Sequence, residues 1–175
     1  RLASETDRIN AIAGLGTANT DWQKAIYQLG TTFEGNVGVT GNIQMGEKNY
    51  LPYRVSGGVL LQNGTLRTSQ MDRGTLSINL NPSFLDNHLK FDLSAKGMYM
   101  YTRYANTGAI GAAVVFNPTQ PIYDPNGVNG YFTIKNSEGG TAQLSTMNPV
   151  AALDEYNNRN HALRFIGNAQ IDYAI

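Results

Sequence analysis

From Thr32 onward the chain repeats with a period of two. Phe33, Gly35, Val37, Val39, Gly41 and Ile43 alternate with Glu34, Asn36, Thr40, Asn42 and Gln44. A helix would scatter these residues around its circumference, whereas a strand puts each set on one face. The same alternation runs through Leu51, Tyr53, Val55, Gly57, Val59 and Leu61 against Arg54, Ser56 and Gln62, with Leu60 as the exception. It recurs in Leu76, Ile78 and Leu80 against Thr75, Ser77 and Asn79, and in Leu89, Phe91, Leu93 and Ala95 against Lys90, Asp92, Ser94 and Lys96. A last segment sets Leu163, Phe165, Ala169, Ile171 and Tyr173 against Arg164, Asn168, Gln170 and Asp172. Most of these segments reach about ten residues, beyond the usual five or six and close to the roughly 9–11 that cross a bilayer. The expected fold is all-β: an antiparallel meander of about five strands from a large transmembrane β-barrel.

The remaining chain divides around those strands. Residues 1–31 read as a short helical and loop segment. Ile9 and Ile12 share a face of a helix from Ser4 to Ala13 that Gly14 and Gly16 close, and a second helix opens near Thr20 or Asp21 with Trp22, Ala25 and Ile26 on one stripe. Residues 32–104 hold four antiparallel strands, 105–159 a long loop, and 160–175 the fifth strand. Connections at 46–48 and 82–87 are short, whereas 63–73 and 104–160 are long. Outer-membrane barrels alternate in this way because periplasmic turns are tight and extracellular loops extended. If the turn at Gly46 is periplasmic, residues 1–31 lie outside the cell and at least one strand precedes Arg1. Five strands are fewer than the eight from which bacterial barrels begin, so the expectation is an excised stretch of a longer protein.

Charge and composition remove several functions. Lys and Arg number 13, as do Asp and Glu, and charged residues make up 15% of the chain. No basic block exists, so the electrostatic footprint of a nucleic-acid binder is absent. Without Cys there is no disulfide framework, thiolate site or Cys nucleophile. His88 and His161 have no metal-ligand spacing and read as turn or strand-end residues. Ser56 and Ser94 lack a nucleophile elbow. Gly57-Gly58 and Gly139-Gly140 lack phosphate-loop neighbours and read as a bulge or turn. Asp124-Pro125-Asn126-Gly127 reads as a turn in which Gly127 supplies positive φ, without the later Glu of a calcium loop. Asn63-Gly64-Thr65 is a chance match to a glycosylation site. No enzyme constellation and no cofactor site are expected.

Aromatic residues are the remaining candidates. Tyr99 and Tyr101 share the apolar face of the fourth strand near its extracellular end, where barrels carry an aromatic girdle. Trp22, Tyr123 and Tyr131, with Asp124 and Asn126, are the candidates for contact with a ligand or partner, because rings stack on sugars and the carboxylate and amide supply hydrogen bonds.

Particular strings resemble one family. The run NTDWQKAIYQ at 19–28, the strand carrying VTGN, and VSGG at 55–58 resemble the start of the barrel in SusC/RagA-type TonB-linked outer-membrane proteins. FNPTQPIYDPNG at 116–127 looks like that family's long-loop segment. NPVAALDEYNNR at 148–159, leading into RFIGNAQIDY at 164–173, looks like its next loop and strand.

The resemblance implies a plugged barrel that imports glycans or oligopeptides across the outer membrane. It further implies a SusD-like lipoprotein that captures substrate outside and TonB as the source of energy. No plug, TonB-box-like segment or closing strand is recognisable, so this piece alone is expected not to transport. Glu34, Arg54, Asn79, Lys90, Asp92 and Asn168 would line the lumen, and the apolar faces would meet membrane lipid. An isolated piece would expose edges and apolar surface, and is expected to refold as a sandwich or to self-associate. The alternative reading is a soluble β-sandwich that binds carbohydrate or acts as an adhesin.

Overall fold

A computed structural model describes residues 4–46, 48–135 and 147–174. The chain forms two compact units. One comprises Gly30–Gly64, Ser69–Arg103 and Arg159–Ile175; the other comprises Arg1–Leu29, Thr65–Thr68 and Tyr104–Asn158.

The first unit is a single antiparallel sheet. Its strands are β1 (Thr31–Gln44), β2 (Tyr50–Asn63), β3 (Gln70–Leu80), β4 (Ser83–Phe84), β5 (Leu89–Tyr104) and β6 (Asn158–Tyr173). β1 pairs with β2, β2 with β3, β3 with β5, and β5 with β6. The two-residue β4 pairs Ser83 with both Tyr50 and Lys90, which continues the register of β3. What separates the two is Asn81-Pro82. The Pro52 carbonyl accepts from Asn81 N and the Pro82 carbonyl from Phe91 N, and neither proline has an N–H with which to return a bond. Among the described residues there are thus five long strands, the expected number.

Pairing preserves the two faces. Phe33 faces Leu61, Val39 faces Val55 and Ile43 faces Leu51; Val55 faces Ile78, which faces Ala95, and Leu80 faces Leu93. On the other face Thr40, Arg54, Asn79 and Ser94 form one row, and Gly38, Ser56, Ser77 and Lys96 the next. A one-residue slip anywhere would exchange the faces of that strand, and none has occurred. Val37 is 71% and Phe165 75% exposed, so nothing among the described residues covers the apolar side.

Several expectations need correction. The third strand starts at Gln70, five residues before the first residue read as strand, and the connection from β2 is only 64–69. Asp72 and Gly74 hid it, because both occupy apolar-face positions, opposite Leu61 and Val59. Gly57-Gly58 is neither bulge nor turn but lies inside the unbroken ladder of β2. A side chain at Gly58 would collide with Asn36 Oδ1 and meet Thr75 Oγ1, which accounts for the glycine. Among the described residues the long 105–159 segment contains two α-helices and a 3-10 turn at Val128–Gly130 rather than irregular loop alone, and β6 begins at Asn158. All six strands among the described residues belong to one sheet, and no second sheet packs on it there as a sandwich would require. Gly139-Gly140 lies outside the described residues.

Among its described residues the second unit carries four short α-helices joined by irregular chain: α1 (Glu5–Ala13), α2 (Trp22–Ile26), α3 (Gly108–Val115) and α4 (Pro149–Asp154). Asp21 caps α2 by accepting from Lys24 N at 2.9 Å. The core unites α2, α3 and α4. Trp22, Ile26, Ala109, Ala113, Phe116, Val150, Ala152 and Leu153 are all buried. Ala109 and Ala113 lie one helical turn apart, and their small side chains allow close helix packing. Trp22 meets Phe116 edge-on, with ring centroids 4.6 Å apart, and its indole N–H donates to the Asn117 carbonyl at 3.0 Å. Each fully buried large side chain contributes about 1.5–3 kcal/mol. The partly buried Arg67–Asp154 pair, at 3.4 Å, is long for an ion pair and contributes on the order of 1 kcal/mol. Apolar burial therefore dominates this unit.

Residues 14–20 are zipped to 117–120. Ala18 N donates to the Thr119 carbonyl at 3.0 Å and Thr20 N to the Pro118 carbonyl at 2.8 Å. A side chain at Gly16 would run into the Thr119 carbonyl, which is backbone and cannot swing aside. Gly16→Ala is therefore expected to accelerate amide hydrogen exchange at Ala18 and Thr20. Gly74→Ala, whose added methyl meets open space, is expected to leave both rates unchanged.

Candidate functional site

Four of the five candidate contact residues come together in one turn of the helical unit. Tyr123 and Tyr131 form an isolated antiparallel bridge, with ring centroids 5.4 Å apart. Between them Asp124 Oδ1 accepts from Asn126 N at 2.9 Å, and the Asp124 carbonyl accepts from Gly127 N at 2.9 Å. Such an Asx turn follows from an Asp whose short carboxylate reaches the backbone two residues on. The positive φ expected at Gly127 is instead at Asn129, with φ 51°, and Gly130, with φ 81°. Gly127 is required for space, because a side chain there would strike the Tyr131 carbonyl.

Tyr123 is 59% exposed and presents its ring to solvent. Tyr131 is half-buried, and its hydroxyl donates to Asp154 Oδ2 at 2.9 Å. Asp154 also faces the Arg67 guanidinium, whose Nη1 donates to the Ala25 carbonyl at 3.2 Å. Asn129 Nδ2 donates to Glu155 Oε1 at 2.7 Å. The turn is thus tied to the C-terminal end of α4, an arrangement no local sequence pattern signals.

Trp22 is elsewhere. At 3% exposure it belongs to the core, with its edge against Phe116 and its N–H taken. Phe116 in turn meets Phe132, the residue after Tyr131, at 6.4 Å.

Asn148 is the buried polar residue that positions α4. Its Oδ1 accepts from Val150 N at 3.0 Å and Ala151 N at 3.3 Å, and its Nδ2 donates to the carbonyls of Ile122, at 2.9 Å, and Phe132, at 3.3 Å. One side chain therefore caps the helix and clamps both arms of the 122–132 turn. Sequence reading passed over it, although Asn followed by Pro is an N-cap and N1 signature.

On the sheet, the polar face carries a trough of about 380 Å³ lined by Asn36, Arg54, Ser56, Gly58, Thr75 and Lys96 among others. It exists because small residues at Gly38, Ser56, Gly58 and Ser77 stand between longer side chains. Its walls offer hydroxyl, amide and cationic groups. Among the described residues no three of His, Cys, Asp and Glu gather as a metal site.

Burial, helped by the hydrogen bond to Asp154 and that residue's negative charge, pushes the Tyr131 phenol up to about 12 from the ordinary 10.0. The folded state thus holds this proton more tightly than the unfolded state does. Its stabilising contribution is complete below pH 10 and is lost as pH rises through 10 to 12. In Tyr131→Phe, alkaline destabilisation across that window is expected to flatten. The corresponding late step should vanish from the phenolate absorbance titration. Asn148→Ala is expected to cost about 1–3 kcal/mol, because it strips an N-cap and leaves buried carbonyls unpartnered. Differential hydrogen exchange at Val150 and Ala151 would measure that loss.

No protein-family model matches the chain. The chain is, however, similar to the TonB-dependent receptor SusC of Bacteroides thetaiotaomicron, with 42% identity over 175 residues. The match takes in 92% of this chain and 17% of that receptor, so the chain spans about a sixth of its relative's length. By sequence, this chain is thus similar over nearly its whole length to one stretch of a SusC-type TonB-dependent receptor.

Proposed function

We propose that this chain is a stretch of wall and loop from an outer-membrane, TonB-dependent importer of glycans or oligopeptides. The observation that carries the reading is the sheet itself. Five long strands expose an uncovered apolar face on one side and a polar face on the other, as lipid outside and water inside would require. A soluble sandwich would need a second sheet on the apolar side.

In this reading the polar rows line the lumen, and the helical unit, built from Arg1–Leu29, Thr65–Thr68 and Tyr104–Asn158, belongs to the extracellular side. The Tyr123–Tyr131 turn, with Asp124 and Asn126, is the surface for substrate or for a SusD-like lipoprotein. Trp22 supports it from the core through Phe116 and Phe132. TonB acts through parts of the parent beyond this stretch, which alone would not transport.

The stretch contains no Cys, which makes labelling direct. In the full-length parent, a cysteine at Val128 is expected to react with a membrane-impermeant maleimide on intact cells. One at Lys48 should react only after the outer membrane is permeabilised. On the sheet, Leu76→Arg should cost about 2–4 kcal/mol and lower the yield of folded protein, whereas Ser77→Arg should be close to neutral. Equal labelling of the two cysteines, or equal tolerance of the two arginines, would refute the topology. Loss of growth on a glycan or an oligopeptide mixture, when either the parent or TonB is deleted, would identify the substrate class. Growth unaffected on both would remove the import reading.

A further inference from the structure

At one end of the sheet the apolar face stops being apolar. Tyr99 and Tyr101 of β5 project there, and the His161 ring of β6 lies 5.0 Å from that of Tyr101, with its Nδ1 hydrogen-bonded to the Tyr99 hydroxyl at 2.8 Å. Arg103 is two residues beyond Tyr101 and Arg159 two residues before His161. Tyr99 of β5 meets His161 of β6, while His88 before β5 bonds Ala174 after β6, so the two strands run antiparallel. Both steps therefore lead the same way along the sheet, and period two keeps both arginines on this face. Backbones of paired strands are about 4.8 Å apart, so the two guanidinium groups can converge on one ligand.

The acid on this part of the face is Asp72, opposite Tyr101, and it already accepts from Gln70 Nε2 at 2.8 Å. Arg103 Nε is buried and has no hydrogen-bond partner among the described residues. Two arginines and a histidine at the margin of an exposed apolar face are thus opposed by one engaged carboxylate.

We infer that this rim is a binding site for the phosphate group of an anionic lipid in the surrounding membrane leaflet. The inference rests on the barrel reading above, in which this face meets lipid and this row lies at the outer interface. Charge complementarity selects the ligand. Acyl chains would cover Leu61, Val59 and Leu163, the tyrosines would lie at headgroup depth, and the arginines would bind phosphate through paired N–H donors. Lysines would serve less well, since a planar fork matches phosphate oxygens better than a point charge does.

The test uses the full-length parent in phosphatidylcholine nanodiscs that contain a diphosphorylated acyl-glucosamine glycolipid, or the same glycolipid without phosphates. Retention is read by native mass spectrometry. The parent should keep the phosphorylated lipid, and the R103Q/R159Q variant should retain it about tenfold less. Arg164→Gln, on the opposite face, should change nothing. Dephosphorylated lipid should be held no better by the parent than phosphorylated lipid is by the double variant.

Equal retention of phosphorylated lipid by parent and double variant would overturn the site. So would displacement of the glycolipid by an equal concentration of inorganic phosphate, which would mean a free-anion site. A changed oligomeric state in the double variant with unchanged lipid would assign the face to a second copy and likewise overturn it. Fractionation of the same cells separates the two levels. A parent absent from the outer membrane defeats the barrel reading and the site together, whereas an inserted parent that ignores phosphate defeats the site alone.

Discussion

The backbone ladder between long antiparallel strands is the constraint on which the sheet depends. Each residue's N–H and C=O need partners, and in a membrane no water would supply them. Once the ladder runs from Thr31–Asn63 through Asn63–Gln70 to Gln70–Arg103, the facing direction of every side chain follows. The two prolines show how little tolerance there is. Pro52 and Pro82 each remove one return bond, and the strand is interrupted there, although its register persists into Ser83 and Phe84.

The sheet and the helical unit are held by different means. The sheet has no covered core among the described residues: its apolar side chains form a surface, and backbone pairing does the ordering. The helical unit has a conventional core of Trp22, Ile26, Phe116, Val150 and Leu153 together with Ala109, Ala113 and Ala152. Around that core, polar contacts aim rather than stabilise. Asn148 satisfies all of its bonding capacity on two backbone segments and α4. Tyr131 and Arg67 meet on Asp154, so the exposed Tyr123 ring is held by a chain of contacts that starts in the core.

Glycine has distinct uses here. Gly58 leaves room for Asn36 and Thr75 and so opens the trough on the polar face, and Gly41 lies beneath the Tyr53 ring, which covers the missing side chain. Gly127 is needed because a carbonyl occupies the place of its side chain, even though its φ is ordinary for any residue. Counting glycines as turn signals misses these roles, since the neighbour that demands the glycine is often distant in sequence.

Much of the sheet was legible because period two is a local property. Successive strand residues face opposite ways whatever they pair with, so the chain alone determined five strands, their two faces and the wet and apolar sets. It also determined that a helix opens near Thr20 or Asp21 and that residues 124–127 turn, but it misplaced the positive φ, which falls at Asn129 and Gly130. It failed where an apolar-face position holds a polar residue or glycine, as at Asp72 and Gly74, since the pattern there has no period to detect. Only the tertiary structure decided that residues 108–115 and 149–154 are helices packed on Trp22, that Tyr131 meets Asp154, and that Arg103, Arg159 and His161 share a rim. Each of these is a meeting of residues far apart in the chain, set by burial or by strand pairing, and no local repeat encodes such a meeting.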